Sequence, residues 1–143
     1  MNIYKQYLDN FIVVLKKSII LIVEDDLYIS KILERTFRNN YEVFLAINGK
    51  DALGKIKEKK PDIILSDIMM DEMDGLELKK ELNKIEDNAL IPFIFYTAVS
   101  DESIVQAGYE LGIQGYLVKP VFPIDLREKI KTVLENYNLS RLT

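Results

Sequence analysis

The 143-residue sequence contains no cysteine and no histidine. Without cysteine there is no disulfide, no thiolate metal site and no thiol nucleophile. Without histidine, Ser-His-Asp catalysis, imidazole metal sites and a phosphohistidine step within the chain are excluded as well. A metal bound here has to be a hard cation held by oxygen. Long apolar runs are missing too. The longest early one, Phe11-Ile12-Val13-Val14-Leu15, comes just after Asp9 and is far short of the ~20 residues a membrane span requires. It also lacks the basic start and small-residue cleavage site of a signal peptide, so a cytoplasmic location and no membrane partner are expected.

The charge is low and mixed. Net charge is −4, with acidic and basic residues interleaved, so no basic patch invites direct contact with nucleic acid. With 48% apolar and 29% charged residues, the composition is that of a globular domain. The length allows one domain with a sizeable core.

Short apolar runs alternate with segments of helical period. Ser18–Val23 is continuously apolar after Ser18, as a strand buried on both faces should be. Asp26 can cap a following helix whose inward positions are Ile29, Ile32, Leu33 and Phe37. Tyr41–Ala46 reads as a second strand, and Asn48-Gly49 turns into a helix over 49–59 with Ala52, Leu53 and Ile56 inward. Past Pro61, Asp62–Ser66 is a third strand, and an acidic loop from Asp67 to Asp74 closes at Gly75. Leu76, Leu78, Leu82 and Ile85 mark the next helix, and Pro92–Ala98 is a strand with its proline at the harmless first position. A helix over 101–111 capped by Gly112, a strand over Gly115–Val118 and a helix over 124–137 complete the chain. This is a (βα)5 pattern, an α/β doubly wound fold with a five-stranded parallel sheet. Right-handed crossovers leave few windings, of which 2-1-3-4-5 is the most common.

In open α/β sheets ligands bind beyond the carboxyl ends of the strands. Sorted by that rule, strand one ends in Glu24-Asp25-Asp26, strand three in Asp67, strand four in Tyr96-Thr97-Ala98 and strand five in Lys119-Pro120. Four of five strands therefore deliver polar or charged groups to one edge. Two carboxylates ~4 Å apart repel by about 4 kcal/mol at an effective dielectric of 20. The single ammonium of Lys119 cannot balance Glu24, Asp25 and Asp67, and Mg2+ with several retained waters fits the all-oxygen ligand set. Each residue also has a plain structural part open to it: Asp26 and Asp25 as helix caps, Thr97 as a strand-end hydroxyl, Lys119 as a solvated loop lysine, Asp67 as the first residue of an Asx turn.

Taken together, IILIVEDD (19–26), LSDIMMDEMDG (65–75), FYTA (95–98) and GYLVKP (115–120) resemble the response-regulator receiver family of two-component signalling. The resemblance runs from about Lys17 to Tyr137, which makes 17–137 the receiver domain, 1–16 an N-terminal extension and 138–143 a short tail. It implies a flavodoxin-like sheet and a phosphoacceptor at Asp67, which takes its phosphoryl group from a phosphohistidine of a partner histidine kinase or phosphotransfer protein. It implies metal binding by Glu24, Asp25, Asp67 and the backbone carbonyl of Met69, with Mg2+ as the cofactor and Mn2+ as a substitute. Thr97 and Lys119 would bind phosphoryl oxygens, Thr97 and Tyr116 would form the switch, and Pro120 would have a structural part. The face made by the fourth helix, fifth strand and fifth helix would then change shape and meet a downstream effector, an output domain or a second copy in a homodimer. On this reading the chain is a signalling module and no enzyme beyond its own phosphotransfer and dephosphorylation.

Two positions depart from the family pattern. Met70 is followed by Asp71 where the family usually has proline, which frees φ and adds a carboxylate, and Ile113 stands where alanine is usual after Gly112. At the N-terminus, Ile3, Tyr7, Phe11 and Val14 or Leu15 share one face at helical spacing. Asn138–Thr143 is too short for an output domain, so a chain complete at this length is expected to act through protein contacts; a receiver fragment of a larger regulator or hybrid kinase is the other reading. Two further classes fit less well. A Mg2+-dependent phosphatase with an aspartate nucleophile needs a second Asp two residues later, where Met69 stands, and a flavodoxin-like cofactor binder needs a Ser/Thr/Gly-rich first loop, where Glu24-Asp25-Asp26 would repel a phosphate.

Overall fold

The structure, a computed structural model, describes residues 2–142, and the side chains of these apart from residues 10–15. Helix α1 (Ile3–Leu15) precedes β1 (Ser18–Val23), α2 (Leu27–Phe37), β2 (Tyr41–Ala46), α3 (Gly49–Glu58) and β3 (Ile63–Ser66). Then come α4 (Gly75–Asn83), the short α5 (Glu86–Ala89), β4 (Phe93–Thr97), α6 (Glu102–Glu110), β5 (Gly115–Val118) and α7 (Pro123–Ser140). The five strands form one sheet in the order β2-β1-β3-β4-β5, and every pairing is parallel. Both the expected fold class and the expected strand order are found.

Side chains alternate across a strand, and the two faces of the sheet are filled accordingly. Leu21, Val23, Ile64, Phe93 and Phe95 pack on one face against Ala52 and Ile56 of α3 and Leu78 and Leu82 of α4. Ile20, Ile22, Ile63, Leu65 and Ile94 pack on the other against Leu33 and Phe37 of α2 and Leu126 and Ile130 of α7. Burying each such side chain contributes about 1.5–3 kcal/mol. Helix starts are set locally. Asp26 accepts from the backbone N–H groups of Tyr28 and Ile29, Asn48 from that of Asp51, and Asp74 forms a reciprocal capping box with Glu77. Gly112, with φ +93°, closes α6 in the left-handed region, as its sequence position anticipates.

Three expectations need correction. Ile85 does not continue the inward face of α4. Short i→i−3 bonds from Lys84 and Ile85 to Glu81 and Leu82 tighten the helix end, Ile85 turns extended before α5, and its side chain is exposed. Ile32 is also exposed, because Leu33 and Phe37 already fill the contact between α2 and the sheet. The last helix is longer at both ends than its apolar period suggested, beginning on Pro123 at a first-turn position that favours proline. The helix expected near the N-terminus is present, with Ile3 and Tyr7 exposed; the rest of its expected face, Phe11 with Val14 or Leu15, lies outside the described side chains. Among the described residues no helix is long and apolar enough to cross a membrane.

One polar group lies inside the α4 core. Lys79 is only 1% exposed, and its ammonium donates to Asn83 Oδ1 at 2.8 Å and to the carbonyl of Ala89 at 3.1 Å. Burial pulls its pKa down, because neither partner carries a compensating charge. The methylene stem fills core volume while the head ties α4 to α5. Lys79→Met, which keeps the volume and removes the desolvated charge, is therefore expected to stay within about 1 kcal/mol of the parent in urea denaturation. Lys79→Ala, which leaves a cavity, is expected to lose roughly 2–4 kcal/mol, and equal losses for both variants would show that the ammonium itself holds this corner.

Candidate functional site

The sheet itself delivers the candidate residues to one edge. Glu24, Asp67 and Lys119 each stand one position beyond a strand, and each extends the backbone ladder by one bond. Glu24 N–H donates to Ala46 at 2.9 Å, Asp67 N–H to Val23 at 3.0 Å and Lys119 N–H to Thr97 at 2.8 Å. Their Cα positions are thus fixed by main-chain hydrogen bonds before any side chain interacts.

The side chains converge. Lys119 Nζ lies 3.0 Å from Glu24 Oε1 and 3.1 Å from Asp67 Oδ2, and 5.0 Å from the centre of the Tyr96 ring. Glu24, Asp25 and Asp67 each place a carboxylate oxygen within 4.8 Å of the others, the one such acidic group among the described residues. Glu24 is buried, Asp67 half-buried and Asp25 exposed, so the cluster runs from the interior to solvent. Asp67 Oδ1 accepts from the N–H of Ile68 at 2.6 Å and of Met69 at 3.3 Å. Thr97 is fully buried, and its hydroxyl oxygen accepts from the N–H of Val99 at 3.4 Å. Tyr116 donates its hydroxyl to the Val99 carbonyl at 2.6 Å, and its ring meets Phe95 edge-on at 5.9 Å. Pro120 follows a cis peptide bond after Lys119. The side chain of Met69 is exposed.

The electrostatics separate the two inner carboxyls. Burial pushes Glu24 up to about 7, with the Lys119 hydrogen bond and charge only partly opposing it and the Asp67 charge adding to it. For Asp67 burial also raises the pKa, but hydrogen bonds from Thr97, Lys119 and the Ile68 N–H, with the Lys119 charge, outweigh it and hold the carboxyl below its ordinary value. Lys119 loses some charge stability to burial and regains more from Glu24 and Asp67, so its pKa lies above the ordinary value.

This donor set fits a hard divalent cation. Glu24 Oε2 is buried with no hydrogen-bond partner, beside two further carboxylates and a single cation. A buried acceptor in that condition costs free energy that oxygen-seeking metal coordination would recover.

Sequence reasoning missed two features of the site. The loop after Asp67 carries two successive non-glycine residues at positive φ, Glu72 at 49° and Met73 at 81°. Met73 is anchored there by its carbonyl, which accepts from Gly49 N–H at 3.1 Å, and by its side chain, which packs on the core. The signal was the absent proline at Asp71, whose own side chain is exposed. The second missed residue is Ser66, 1% exposed, whose hydroxyl donates to the carbonyl of Asp67 at 2.7 Å. A lone hydroxyl in an otherwise apolar strand was its signal.

Residues 20–131 match the family described as the response regulator receiver domain. The relative named "Probable transcriptional regulator ycf27" from Porphyridium aerugineum is 38% identical over 121 residues, 84% of this chain and 49% of that protein. The crystal structure of a CheY-like response regulator receiver domain protein from Methanospirillum hungatei JF-1 superposes with a TM-score of 0.82 at 29% identity, covering 87% of this chain and 99% of that one. The signal receiver domain of a signal transduction histidine kinase from Syntrophus aciditrophicus gives 0.77 at 32% identity, over 83% and 91% of the two chains. The chain spans about half the length of the curated relatives it matches.

The raised Glu24 pKa has a consequence for stability. A carboxyl that titrates at about 7 in the fold and at 4.5 when unfolded keeps its proton in the native state where the unfolded chain releases it. Its contribution is present below the unfolded value and lost as pH rises through the folded one. Asp67, with its pKa lowered, acts below 3.8, and Lys119, with its pKa raised, acts above 10.5, both outside that window. Metal-free protein is therefore expected to lose stability between pH 4.5 and about 7 in urea titrations. Glu24→Gln is expected to flatten the decline, and an unchanged slope in that variant would place its source elsewhere.

Proposed function

The chain belongs to the response regulator receiver domain family of two-component systems, and from that premise we propose that Asp67 is its phosphoacceptor. The observation that carries this reading is the treatment of the Asp67 carboxylate. It is kept ionised at the sheet edge, Oδ1 held by backbone N–H groups and Oδ2 by Lys119, beside the two acidic groups Glu24 and Asp25.

An Asp67 oxygen attacks the phosphorus of a phosphohistidine on a histidine kinase or phosphotransfer protein. The new O–P bond forms as the P–N bond breaks, and the electron pair leaves on the imidazole nitrogen. Because residues 1–143 contain no histidine, the donor lies outside them, on a kinase or phosphotransfer domain or in a small phosphodonor. The product is an aspartyl phosphate. Catalysis is positioning and charge neutralisation, with no protein group asked to transfer a proton to the leaving nitrogen. Glu24, Asp25, Asp67 and the Met69 carbonyl would hold Mg2+, or Mn2+ in its place, which when bound neutralises charge on the phosphoryl oxygens. Lys119 exchanges part of its contact with Asp67 for a phosphoryl oxygen, and Thr97, already buried beside the carboxylate, takes another.

The output follows from neighbours of the same residues. Thr97 and Tyr116 both bond to Val99 in the loop between β4 and α6, from its two ends. A Thr97 hydroxyl drawn to the phosphoryl group gives up the Val99 N–H, and the Tyr116 ring moves inward behind it. The surface of α6, β5 and α7 then meets an effector, an output domain or a second copy. Residues 17–137 form the receiver on this reading, with 1–16 and 138–143 as flanking segments, and its place of action is the cytoplasm. A phosphatase with the same nucleophile is disfavoured by Met69, which occupies the position of the acid/base carboxyl.

Two outcomes are expected. Incubation with acetyl phosphate and Mg2+ labels the wild-type protein, EDTA abolishes the label, and Asp67→Asn reduces it to background; full labelling of the same peptide in that variant would sink the assignment. Lys119→Ala keeps the fold and takes up label, but its amide NMR spectrum fails to show the shifts around α6 and β5 that phosphorylation produces in the parent. Matching spectra for the two phosphorylated proteins would remove Lys119 from the switch.

A further inference from the structure

We propose that Ser66 is a positioning residue that sets the direction of the Asp67 carboxylate, a role that deepens the reading of Asp67 as phosphoacceptor and rests on it. Ser66 is the last residue of β3, and the other three residues of that strand, Ile63, Ile64 and Leu65, are apolar and buried. Its Cα is paired with Val23 on one side and Phe95 on the other, so the backbone at this point is held by both neighbouring strands. The side chain is 1% exposed and donates its hydroxyl to the Asp67 carbonyl oxygen at 2.7 Å.

That carbonyl and the N–H of Ile68 are the two ends of one planar peptide unit. Fixing the direction of the C=O fixes the direction of the N–H. The Ile68 N–H is the group that donates to Asp67 Oδ1 at 2.6 Å. The hydroxyl therefore reaches the carboxylate indirectly, through the plane it pins. Gly75 closes the other side: a Cβ there would be driven into the Asp67 carbonyl and to 2.7 Å from the Phe95 ring, so glycine alone lets α4 start so close to this peptide. Its N–H donates to the carbonyl of Ile68 at 3.0 Å and secures the next peptide as well. With the plane clamped from both sides, Oδ1 stays turned to the Ile68 and Met69 N–H groups while Oδ2 faces Lys119. The two oxygens of the attacking group are thereby made unequal before any phosphodonor arrives. A serine that merely satisfied its own hydroxyl on a nearby carbonyl would do none of this to the carboxylate, and the two roles separate experimentally.

The test uses the full chain and two readouts. In metal-free 15N-labelled protein, Ser66→Ala should shift the Ile68 amide proton upfield as its short hydrogen bond to Oδ1 loosens, and Ser66→Thr, which keeps the hydroxyl, should hold it near the parent position. In acetyl phosphate labelling with Mg2+, Ser66→Ala should lower the saturating rate about tenfold, as expected for one well-placed hydrogen bond, and change the half-saturating phosphodonor concentration less than about twofold. Ser66→Thr should recover most of the rate. An unmoved Ile68 amide, or a moved amide with the parent's labelling rate, overturns the proposal. Should Ser66→Ala not fold, Ser66→Cys, close to serine in size with a weaker donor, carries the same comparison. If the parent itself takes no label at Asp67, the phosphoacceptor reading has failed, and the Ile68 amide alone then decides whether Ser66 directs the carboxylate.

Discussion

One ammonium stands between more negative charge than it can neutralise. Lys119 reaches both Glu24 and Asp67, and Asp25 lies within the same few ångströms. In water such a cluster would disperse. Here it cannot, because the backbones of Glu24, Asp67 and Lys119 are each locked into the parallel ladder where the charged side chain begins. The sheet thus converts hydrogen-bond geometry into an electrostatic imbalance. That imbalance falls on Glu24, whose second oxygen is buried without a partner and whose proton is held to about pH 7. Asp67 escapes it, because it has backbone N–H groups and a threonine hydroxyl in addition to the lysine. Two acidic residues a few ångströms apart therefore have opposite protonation tendencies, set by the different partners each finds.

Much of this was legible in the sequence because a parallel sheet imposes one rule. All carboxyl ends lie on one edge, so polar residues that end apolar runs must meet there. Glu24, Asp67, Thr97 and Lys119 follow that rule, while the caps at Asp26 and Gly112 were legible from the separate chemistry of helix ends. What the pattern misjudged was burial by periodicity alone. Ile32 and Ile85 have the right spacing and the right chemistry, yet neither is needed. Leu33 and Phe37 already fill the α2 contact, and α4 ends before Ile85 can reach the core. Apolar periodicity names candidates for a face, and packing volume then chooses among them. Lys79 is the converse case, since the helical period places it inward and its charge argues for solvent. The oxygens of Asn83 and Ala89 resolve the conflict, and nothing in the local sequence announces Ala89 as a partner.

The site loop escaped sequence reasoning for a different reason. Positive φ is normally signalled by glycine or asparagine, and Glu72 and Met73 are neither. Their conformation is imposed from outside, by the Gly49 N–H on the Met73 carbonyl and by the burial of the Met70 and Met73 side chains against the core. A loop fixed by tertiary contacts leaves only a faint local mark in the chain, here the absent proline at Asp71. Ser66 is intermediate. Its polarity inside an apolar strand is visible in the sequence, but the direction of its hydroxyl, toward the carbonyl of its successor, requires the structure.

Stability and function pull against each other at these same residues. Burying Glu24 without a second partner, holding two bulky residues in the left-handed region and crowding carboxylates around one lysine all work against the folded state. The offset comes from elsewhere in the sheet. Eleven of the fifteen positions of β1, β3 and β4 are Ile, Leu, Val or Phe, all buried and all but Ile19 under 3% exposed. The division runs along the strands: apolar residues through their length provide the stability, and the residue just past each end uses it. A change that relaxed the edge, by neutralising Glu24 or freeing the loop, is thus favourable to the apo fold for the reason that makes it unfavourable to the site. The edge is held out of balance by the core, and a divalent cation is the charge that would restore it.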